Sequence, residues 1–283
     1  MNITFICTGN TCRSAMAEGI CKKLVRDRGL ENINCRSCGL GAFTGDSASP
    51  NAVIAAKELG ADISAHRSTA INQYIIDETD IAVCMTQRHK TALMSVQPKC
   101  RILVPFSGIS DPYGGDVEVY RRCAGELYSY IEKLLDVLSA EIVPMKSEFV
   151  PQIAEIEKLC FSTPWTESAI AEELDNDVAH FITAVCDGKM LGYIGVHEVC
   201  GEAYIDNIAV HPDYRRFGLG EKILREAEKG AIERNCEFIS LEVRKSNNPA
   251  IALYEKQGYN IAGERKNFYS SPIENGLIMT KGL

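Results

Sequence analysis

The sequence contains no long hydrophobic run. Across 283 residues, no uninterrupted apolar stretch approaches the roughly 18 residues that a membrane-spanning helix needs. The first apolar segment, residues 3–7, is also too short to form the core of a secretory signal peptide. We therefore expect a cytoplasmic protein with no membrane partner.

The twelve cysteines lack the spacing of a metal site. Cys35 and Cys38 form a single Cys-x-x-Cys pair, without the second pair or the spaced histidines of a zinc site. Disulfide frameworks are typical of short exported chains in oxidising compartments. We therefore expect mostly reduced, buried thiols and no metal.

The sequence also lacks an excess of positive charge. Residues 1–140 carry equal numbers of acidic and basic side chains, so the formal net charge of -8 arises after residue 140. Because nucleic-acid-binding domains carry basic surfaces, this distribution argues against a nucleic-acid partner. The acidic second half would attract a cationic acceptor, although solvated surface glutamates explain the same charge equally well.

Hydrophobic periodicity predicts two domains, at residues 1–140 and 141–283. In the first, strands alternate with amphipathic helices, which predicts an α/β fold with a doubly wound parallel sheet. Its predicted strands are 3–7, 34–38, 80–85 and 101–105, and its predicted helices are 14–28, 52–59 and 116–138.

The second domain reads as an α/β fold with a mixed sheet. Its predicted strands are 141–145, 181–186, 189–198, 202–210 and 238–243, followed by a final hairpin. Its predicted helices are 151–160, 219–234 and 249–257. The sequence contains no internal repeat, and no flexible linker separates the two domains.

A phosphate-binding turn is predicted between the first strand and the first helix. It consists of Cys7, Thr8, Gly9, Asn10, Thr11, Cys12, Arg13 and Ser14. Free backbone N–H groups and the helix dipole favour an anion at such a turn, and they also favour the thiolate form of Cys7. Arg13 can return to hold two phosphoryl oxygens with its planar guanidinium group. We therefore predict a cysteine nucleophile, rather than a merely buried thiol.

At this point the sequence resembles the low-molecular-weight protein-tyrosine phosphatases over about residues 1–140. The matching segments are CTGNTCRS at 7–14, SASPNAV at 47–53, DISAHRS at 62–68 and Asp-Pro at 111–112. The resemblance implies that Cys7 attacks phosphorus and that Asp111 protonates the leaving group and then activates water. It also implies that Ser14 hydrogen-bonds the thiolate, that Asn10, Ser37 and His66 support the loop, and that Cys12 pairs with Cys7 under oxidation.

Two residues bear on the phosphatase substrate. Thr11 stands where tyrosine phosphatases often carry an aliphatic residue, and Tyr113 is the one aromatic residue in the segment Asp-Pro-Tyr-Gly-Gly. Both features resemble the bacterial protein-arginine-phosphatases. Because a polar wall suits a guanidinium group better than isoleucine does, we favour phosphoarginine over phosphotyrosine in phosphorylated proteins.

A second anion-binding turn is predicted between strand 202–210 and helix 219–234. It consists of Arg215, Arg216, Phe217, Gly218, Leu219 and Gly220. An R-x-x-G-x-G motif alone is a weak signal for a pyrophosphate site, but the flanking segments strengthen it. These segments are IDNIAVHPDY at 205–214, SLEVRKSNNPAIALYEKQGY at 240–259 and Pro-Trp at 164–165.

Together these motifs resemble the GNAT acetyltransferases, and in particular the ribosomal-protein-alanine N-acetyltransferases. The resemblance implies acetyl-CoA as co-substrate, aligned by the backbone of Ile208, Ala209 and Val210, with Asn247 near it. It further implies Glu242 as general base and Tyr254 as general acid. The implied acceptor is the N-terminal alanine of a small-subunit ribosomal protein. Trp165 is either a core residue or a wall of the acceptor site.

The sequence leaves several alternatives open. In one alternative, the first domain is a phosphotyrosine phosphatase and the second is an acetyltransferase of protein N-termini or amines in general. A different class of protein, an interaction module that binds phosphate and CoA with one inactive site, is disfavoured by the intact sets of reactive residues.

Overall fold

The computed structural model describes residues 1–105 and 107–283. The chain divides into two compact units, Met1–Leu135 and Asp136–Leu283, and the predicted boundary at residue 140 lies just after this division. Within the second unit, Tyr214 donates a hydrogen bond of 3.1 Å to the Asp136 carboxylate. Among the described residues, no helix is both long and apolar enough to span a bilayer.

The first unit contains a four-stranded sheet, in which all strand pairs are parallel. The strands are β1 (Asn2–Cys7), β2 (Asn34–Gly39), β3 (Ile81–Cys84) and β4 (Arg101–Leu103), in the order β2-β1-β3-β4. The helices are α1 (Arg13–Asp27), α2 (Pro50–Glu58), α3 (Gln73–Asp77), α4 (Gln87–Met94) and α5 (Val117–Ser139). The predicted parallel α/β fold is confirmed. Because parallel strands share one carboxyl-terminal edge, the loops at that edge meet around the turn after β1.

Helices α3 and α4 were not predicted from the sequence pattern. Both are short, and each begins at a side chain that caps the helix: Asn72 accepts a hydrogen bond from Ile75 N at 2.9 Å, and Thr86 accepts one from His89 N at 3.4 Å. Capping by one side chain stabilises a helix terminus without leaving a long hydrophobic period in the sequence. These helices therefore depend on local hydrogen bonds and tertiary packing.

The second unit contains a seven-stranded mixed sheet, which confirms the predicted fold. The strands are β5 (Glu141–Pro144), β6 (Ala179–Cys186), β7 (Lys189–Val199), β8 (Glu202–Val210), β9 (Phe238–Arg244), β10 (Asn260–Ser270) and β11 (Ile273–Gly282). Their order is β10-β11-β9-β8-β7-β6-β5. The helices are α6 (Val150–Cys160), α7 (Glu167–Glu172), α8 (Leu219–Glu233) and α9 (Asn248–Lys256), of which α7 was not predicted.

The parallel pair β8 and β9 separates partway along its length. Pairing runs from Glu202 with Phe238 to Ile205 with Leu241 and does not continue beyond these residues. The outer part of β8 still pairs with β7, and Glu242 on β9 still pairs with β11. The backbone groups that the outer part of β8 directs toward β9 therefore lack a ladder partner, which opens a slot in the middle of the sheet.

Candidate active sites

The predicted phosphate turn lies at the carboxyl end of β1 and leads into α1. Cys7 is buried, its Sγ lies 3.0 Å from Ser14 Oγ, and Asn10 N donates a hydrogen bond of 3.2 Å to the same sulfur. Asn10 has a φ of 55°, which turns the backbone back over the cysteine. The sulfur of the predicted nucleophile is thus enclosed by residues of the turn itself.

Asn10 is held by a network of hydrogen bonds from several segments. Its Nδ2 donates to Ser14 Oγ at 2.9 Å and to Ser37 Oγ at 2.8 Å. Thr69 N donates to Asn10 Oδ1 at 2.7 Å, and His66 Nε2 lies 2.8 Å from Asn10 O. The structure thus brings together the four residues that the sequence analysis assigned to loop support and thiolate contact. Their roles in catalysis stay predictions.

Arg13 and Asp111 form an ion pair across the mouth of the turn. Arg13 Nη2 lies 2.6 Å from Asp111 Oδ2, and the two side chains are 7% and 56% exposed. Tyr113 N donates a hydrogen bond of 3.3 Å to Asp111 Oδ1 and holds the loop that carries this carboxylate. A phosphoryl group that enters the turn would compete with Asp111 for the Arg13 guanidinium group.

The remaining residues of the turn have distinct surroundings. Thr8 Oγ1 lies 3.0 Å from the Nε2 atom of His89, a residue that the sequence analysis did not single out. Cys12 is a buried free thiol whose Sγ lies 3.0 Å from Ser49 Oγ and 3.3 Å from Tyr120 Oη. Gly9 has room around it, and Thr11 is half-buried. Cys12 is thus held by groups outside the turn.

The loop after β2 adds an aromatic residue that the sequence analysis missed. Leu40 N and Gly41 N each donate a hydrogen bond of 2.9 Å, to Cys7 O and Thr8 O respectively, so this loop runs alongside the turn. Phe43 follows with 81% of its surface exposed, and Tyr113 is 84% exposed. Phe43 therefore lies on a loop that adjoins the predicted phosphate turn, and Tyr113 lies on the loop that carries the predicted acid, Asp111. Phe43 could have been singled out only by knowing that its loop borders the turn.

Cys35 and Cys38 do not form a joint metal site. Cys35 Sγ lies 2.8 Å from Cys21 Sγ, whereas Cys38 packs in a buried cluster with Ile6 and Cys84. Within residues 1–105 and 107–283, no cluster of three or more histidine, cysteine or acidic side chains has the arrangement of a metal site.

In the second unit, the predicted pyrophosphate turn leads into the amino terminus of α8. Gly218 has a φ of 78° and directly precedes the helix, a conformation that favours glycine. Phe217 and Leu219 are buried, so only their backbone atoms are placed to meet a ligand. The first N–H groups of a helix lack intrahelical acceptors and favour an anion.

Arg215 and Asn247 support the predicted cofactor site through structural contacts. Arg215 Nε donates a hydrogen bond of 3.0 Å to Val210 O, and its Nη2 donates one of 3.1 Å to Cys160 Sγ. Asn247 caps α9 by accepting a hydrogen bond of 3.4 Å from Ala250 N. Arg215 thereby holds the end of β8 beside α6, and Asn247 holds the start of α9.

The predicted acetyl-aligning residues lie on the outer part of β8. Ile208, Ala209 and Val210 pair with Ile194, Tyr193 and Gly192 of β7 in antiparallel register. On the opposite side, pairing with β9 ends before these residues are reached. An extended ligand with its own amide groups could therefore add to β8 as a further strand.

The predicted base and acid lie on β9 and α9. Glu242 is the first residue of β9 past the paired region, and its Oε1 lies 3.2 Å from Arg265 Nη2. Tyr254 is buried, and this burial raises its pKa, with a smaller contribution from Tyr269. In the described part of the chain no hydrogen bond joins Glu242 to Tyr254. Burial raises the pKa of Tyr269, the charge of Glu242 adds to this shift, and Tyr269 in turn contributes to the raised pKa of Tyr254.

A buried carboxylate, which the sequence analysis missed, connects the loop that carries Trp165 to β8. Glu157 accepts hydrogen bonds from Trp165 N at 2.7 Å and from Asn207 Nδ2 at 2.9 Å, and a further one from Tyr193 Oη. Burial raises the pKa of Glu157, although these donors oppose the shift. The Trp165 ring packs 6.0 Å from Phe181, so this residue is partly a core residue.

Arg244 connects the same loop to the hairpin of β10 and β11. Its Nη2 donates hydrogen bonds to Ser162 Oγ at 3.1 Å and to Ser271 O at 2.8 Å, and its guanidinium carbon lies 4.2 Å from the centre of the Tyr269 ring. Arg244 stands two residues beyond Glu242 on β9, so both side chains point to the same face. No local sequence signal predicted this bridge, because its partners are distant in the chain.

Comparison with known proteins gives each unit a family. Residues 2–144 match the model of the low molecular weight phosphotyrosine protein phosphatases, and residues 150–259 match the acetyltransferase (GNAT) family.

The first half of the chain is 32% identical to a Bacillus subtilis protein-arginine-phosphatase over 150 residues, which cover 50% of this chain and 99% of that protein. It is also 34% identical to a low molecular weight protein-tyrosine-phosphatase from Staphylococcus haemolyticus over 143 residues, 47% of this chain and 97% of that protein.

The second half is 36% identical to the ribosomal protein bS18-alanine N-acetyltransferase of Escherichia coli over 140 residues, 49% of this chain and 94% of that protein. The chain therefore belongs to both families, and it is an enzyme that joins a low molecular weight phosphatase domain to a GNAT N-acetyltransferase domain.

Proposed function

We propose that the phosphatase domain hydrolyses phosphoarginine in proteins in preference to phosphotyrosine. The observation that carries this proposal is the half-buried Thr11 in the phosphate turn, since a hydroxyl side chain suits a guanidinium group better than an aliphatic one. Similarity to a protein-arginine-phosphatase supports it. Exposed Phe43 and Tyr113 favour the second candidate, phosphotyrosine, because aromatic side chains can pack against a phenyl ring.

The proposed reaction uses three side chains. The Cys7 thiolate forms a bond to phosphorus while the bond from phosphorus to the guanidine nitrogen breaks, and Asp111 gives its proton to that nitrogen. Arg13 and the backbone N–H groups of the turn hold the phosphoryl oxygens. Asp111, now a carboxylate, then takes a proton from the water that releases phosphate from sulfur.

The substrate assignment is tested with two peptides of one sequence that carry phosphoarginine or phosphotyrosine. We expect a higher kcat/KM on phosphoarginine, and we expect Thr11→Ile to shift the ratio of the two kcat/KM values toward phosphotyrosine by about tenfold. Cys7→Ser serves as the inactive control for both peptides. A ratio that favours phosphotyrosine in the unmodified protein would overturn the assignment to phosphoarginine.

For the acetyltransferase domain, we infer that acetyl-CoA binds between the start of α8 and the slot between β8 and β9. The helix terminus offers N–H donors for a pyrophosphate, and the unpaired side of β8 offers backbone groups for the amides of pantetheine. A Cβ added at Gly220 would lie 3.4 Å from Leu253 Cδ2 and 3.7 Å from Val210 Cγ2, so the start of α8 packs beside α9 and the end of β8. Bound acetyl-CoA supplies the thioester whose acetyl group is transferred.

Glu242 and Tyr254 are the proposed proton-transfer residues. Glu242 removes a proton from the acceptor ammonium group, and Tyr254 donates a proton to the departing thiolate. Burial raises the pKa of Tyr254, which keeps its hydroxyl protonated and able to donate. Before it can act, Glu242 has to exchange its contact with Arg265 for the acceptor amine.

We propose that the acceptor is the N-terminal alanine of a small-subunit ribosomal protein. Similarity to the Escherichia coli enzyme supports this assignment, and the broader candidate is an acetyltransferase of protein N-termini or amines in general. A peptide that begins with alanine should be acetylated at its α-amine, and the same peptide blocked at that amine but containing lysine should not. Acetylation should collapse in Glu242→Gln, and undiminished turnover would remove Glu242 from the role of base.

A further inference from the structure

The phosphate turn has a second histidine beside it, His89, which contacts Thr8, whereas His66 contacts Asn10. His89 is almost completely buried, with 5% of its surface exposed. Its Nε2 lies 3.0 Å from Thr8 Oγ1 and its Nδ1 lies 2.7 Å from Thr86 Oγ1. The ring thus bridges the turn after β1 and the cap of helix α4.

Both ring nitrogens of His89 are matched by hydroxyl groups. Burial lowers the pKa of His89, as do the charges of Arg13 and Arg88, while Asp111 opposes the shift. A neutral imidazole has one donor and one acceptor nitrogen, and a threonine hydroxyl satisfies either. The arrangement therefore fixes the ring without a charged partner, and it fixes the Thr8 side chain in turn.

The position of Thr8 in the turn explains why such an anchor is needed. Gly9 has no side chain, and Asn10 adopts a φ of 55°, so the chain can pivot at Gly9. Beyond this pivot, Asn10 is held by Ser37, His66 and Thr69. Before it, Thr8 is held by Gly41 N through its carbonyl and by His89 through its side chain.

We propose that His89 is a positioning residue of the phosphatase reaction, which acts through the Thr8 hydroxyl to keep the N–H groups of the turn aimed at the phosphoryl oxygens. The proposal rests on the proposed role of residues 7–14 as the phosphoryl-binding turn. His89 does not touch the substrate. Its effect arises because donors that are already oriented stabilise the transition state more than donors that must reorganise.

The test measures kcat and KM of the full-length protein on p-nitrophenyl phosphate, together with competitive inhibition by inorganic phosphate. Thr8→Val keeps the shape of threonine and removes its hydroxyl, and Thr8→Ser keeps the hydroxyl. We expect Thr8→Val and His89→Leu each to lower kcat by about tenfold and to weaken phosphate inhibition, with a smaller change in KM. Thr8→Ser should restore most of the activity.

The double variant distinguishes positioning through Thr8 from a general structural effect. If His89 acts through Thr8, then Thr8→Val with His89→Leu should be no worse than the more severe single variant, because both changes remove the same contact. Thr91→Val is the matched control: Thr91 is exposed on the same helix, and its hydroxyl donates to Gln87 O at 3.1 Å, away from the turn. This control should keep the original kcat.

Two results would overturn the inference: unchanged kcat in folded Thr8→Val, or effects of the two single variants that multiply in the double variant. If His89→Leu fails to fold, the comparison of Thr8→Val with Thr8→Ser still decides the question. Cys7→Ser distinguishes a failure of the proposed phosphatase mechanism from a failure of the proposed role of His89. Activity that survives Cys7→Ser would defeat the proposed phosphatase mechanism itself, whereas an inactive Cys7→Ser beside a fully active Thr8→Val defeats only the role of His89.

Discussion

At the residue scale, the phosphatase site shows an ion pair that its substrate would displace. Arg13 bonds to Asp111 at 2.6 Å, yet the proposed reaction needs Arg13 on the phosphoryl oxygens and Asp111 on the leaving group. Phosphate binding would therefore release the carboxylate toward the leaving group. The same pair also places the exposed acid loop close to the turn before substrate arrives.

Asp111→Asn should have two opposite effects. We expect kcat on aryl phosphates to fall by about a hundredfold or more, because the proton donor is lost, with the larger losses for the more basic leaving groups. Inorganic phosphate should inhibit the variant more strongly, because Arg13 no longer has a competing carboxylate. Steady-state kinetics on a series of substituted phenyl phosphates, with phosphate inhibition measured alongside, checks both effects. Weaker phosphate inhibition would contradict the ion-pair argument.

We expect the stability of the acetyltransferase domain to depend on pH through Glu157. Because burial raises its pKa in the folded state above the unfolded value, folding favours the protonated form. Its contribution is therefore most favourable below the unfolded pKa, near 4.5, and is lost as pH rises through the folded pKa. Glu157→Gln removes this titration.

The prediction is tested by urea unfolding of both proteins at several pH values. The free energy of unfolding of Glu157→Gln, relative to the unmodified protein, should become more favourable as pH increases from about 4 toward neutrality. A difference that is constant with pH, or that changes in the opposite direction, would show that Glu157 does not titrate in this way.

At the scale of elements, the end of β2 approaches the phosphate turn so closely that only glycine fits. A Cβ at Gly39 would lie 2.5 Å from Thr8 O and 3.0 Å from Asn10 N, both of which are backbone atoms of the turn. Such atoms cannot move without displacing the turn. A Cβ at Gly41, in the loop that follows β2, would contact only Thr8 Cγ2, at 4.0 Å.

Gly39→Ala should therefore reduce phosphatase kcat by at least about tenfold, because the turn is forced out of its catalytic geometry. Gly41→Ala, the matched control, should change kcat little. Urea unfolding followed by circular dichroism reports whether the phosphatase domain of each variant is folded. Equal activities of the two glycine variants would contradict the close approach seen at Gly39.

At the scale of the whole molecule, two compact units carry separate sheets and separate sites. Each unit has its own buried side chains, including the cluster around Phe149, Ile153 and Phe181 in the second. The chain joins these units without a long linker in the sequence. We therefore expect each activity to depend on the fold of its own unit.

Glu157→Ala should lower the stability of the acetyltransferase domain alone. Removal of the carboxylate leaves three buried or partly buried donors without their acceptor, at a cost of about 2 to 4 kcal/mol. Acetyltransferase activity should then disappear at a urea concentration lower by about 1 to 2 M, while hydrolysis of p-nitrophenyl phosphate keeps its original urea dependence. A parallel shift of both activities would indicate one cooperative unit.

The sequence carried most of the information about the fold and the reactive groups. Alternating strands and helices predicted the parallel sheet, and a cysteine six positions before an arginine at a strand end predicted the phosphate turn. These signals are local, since periodicity and motif spacing both lie within one element and its adjoining turn. Short helices such as α4 were missed because a single cap and tertiary packing decide them.

By itself, the sequence determined which residues are available for chemistry, Cys7, Arg13, Asp111, Glu242 and Tyr254 among them, and in which order their elements follow. Only the tertiary structure decided which side chains from distant segments meet, such as His89 with Thr8 and Glu157 with Asn207. It also placed the loop that carries Phe43 beside the turn, through the N–H groups of Leu40 and Gly41. It also decided where β8 and β9 part. The physical reason is that such contacts depend on how whole elements pack, and no local pattern encodes the distance between residues far apart in the chain.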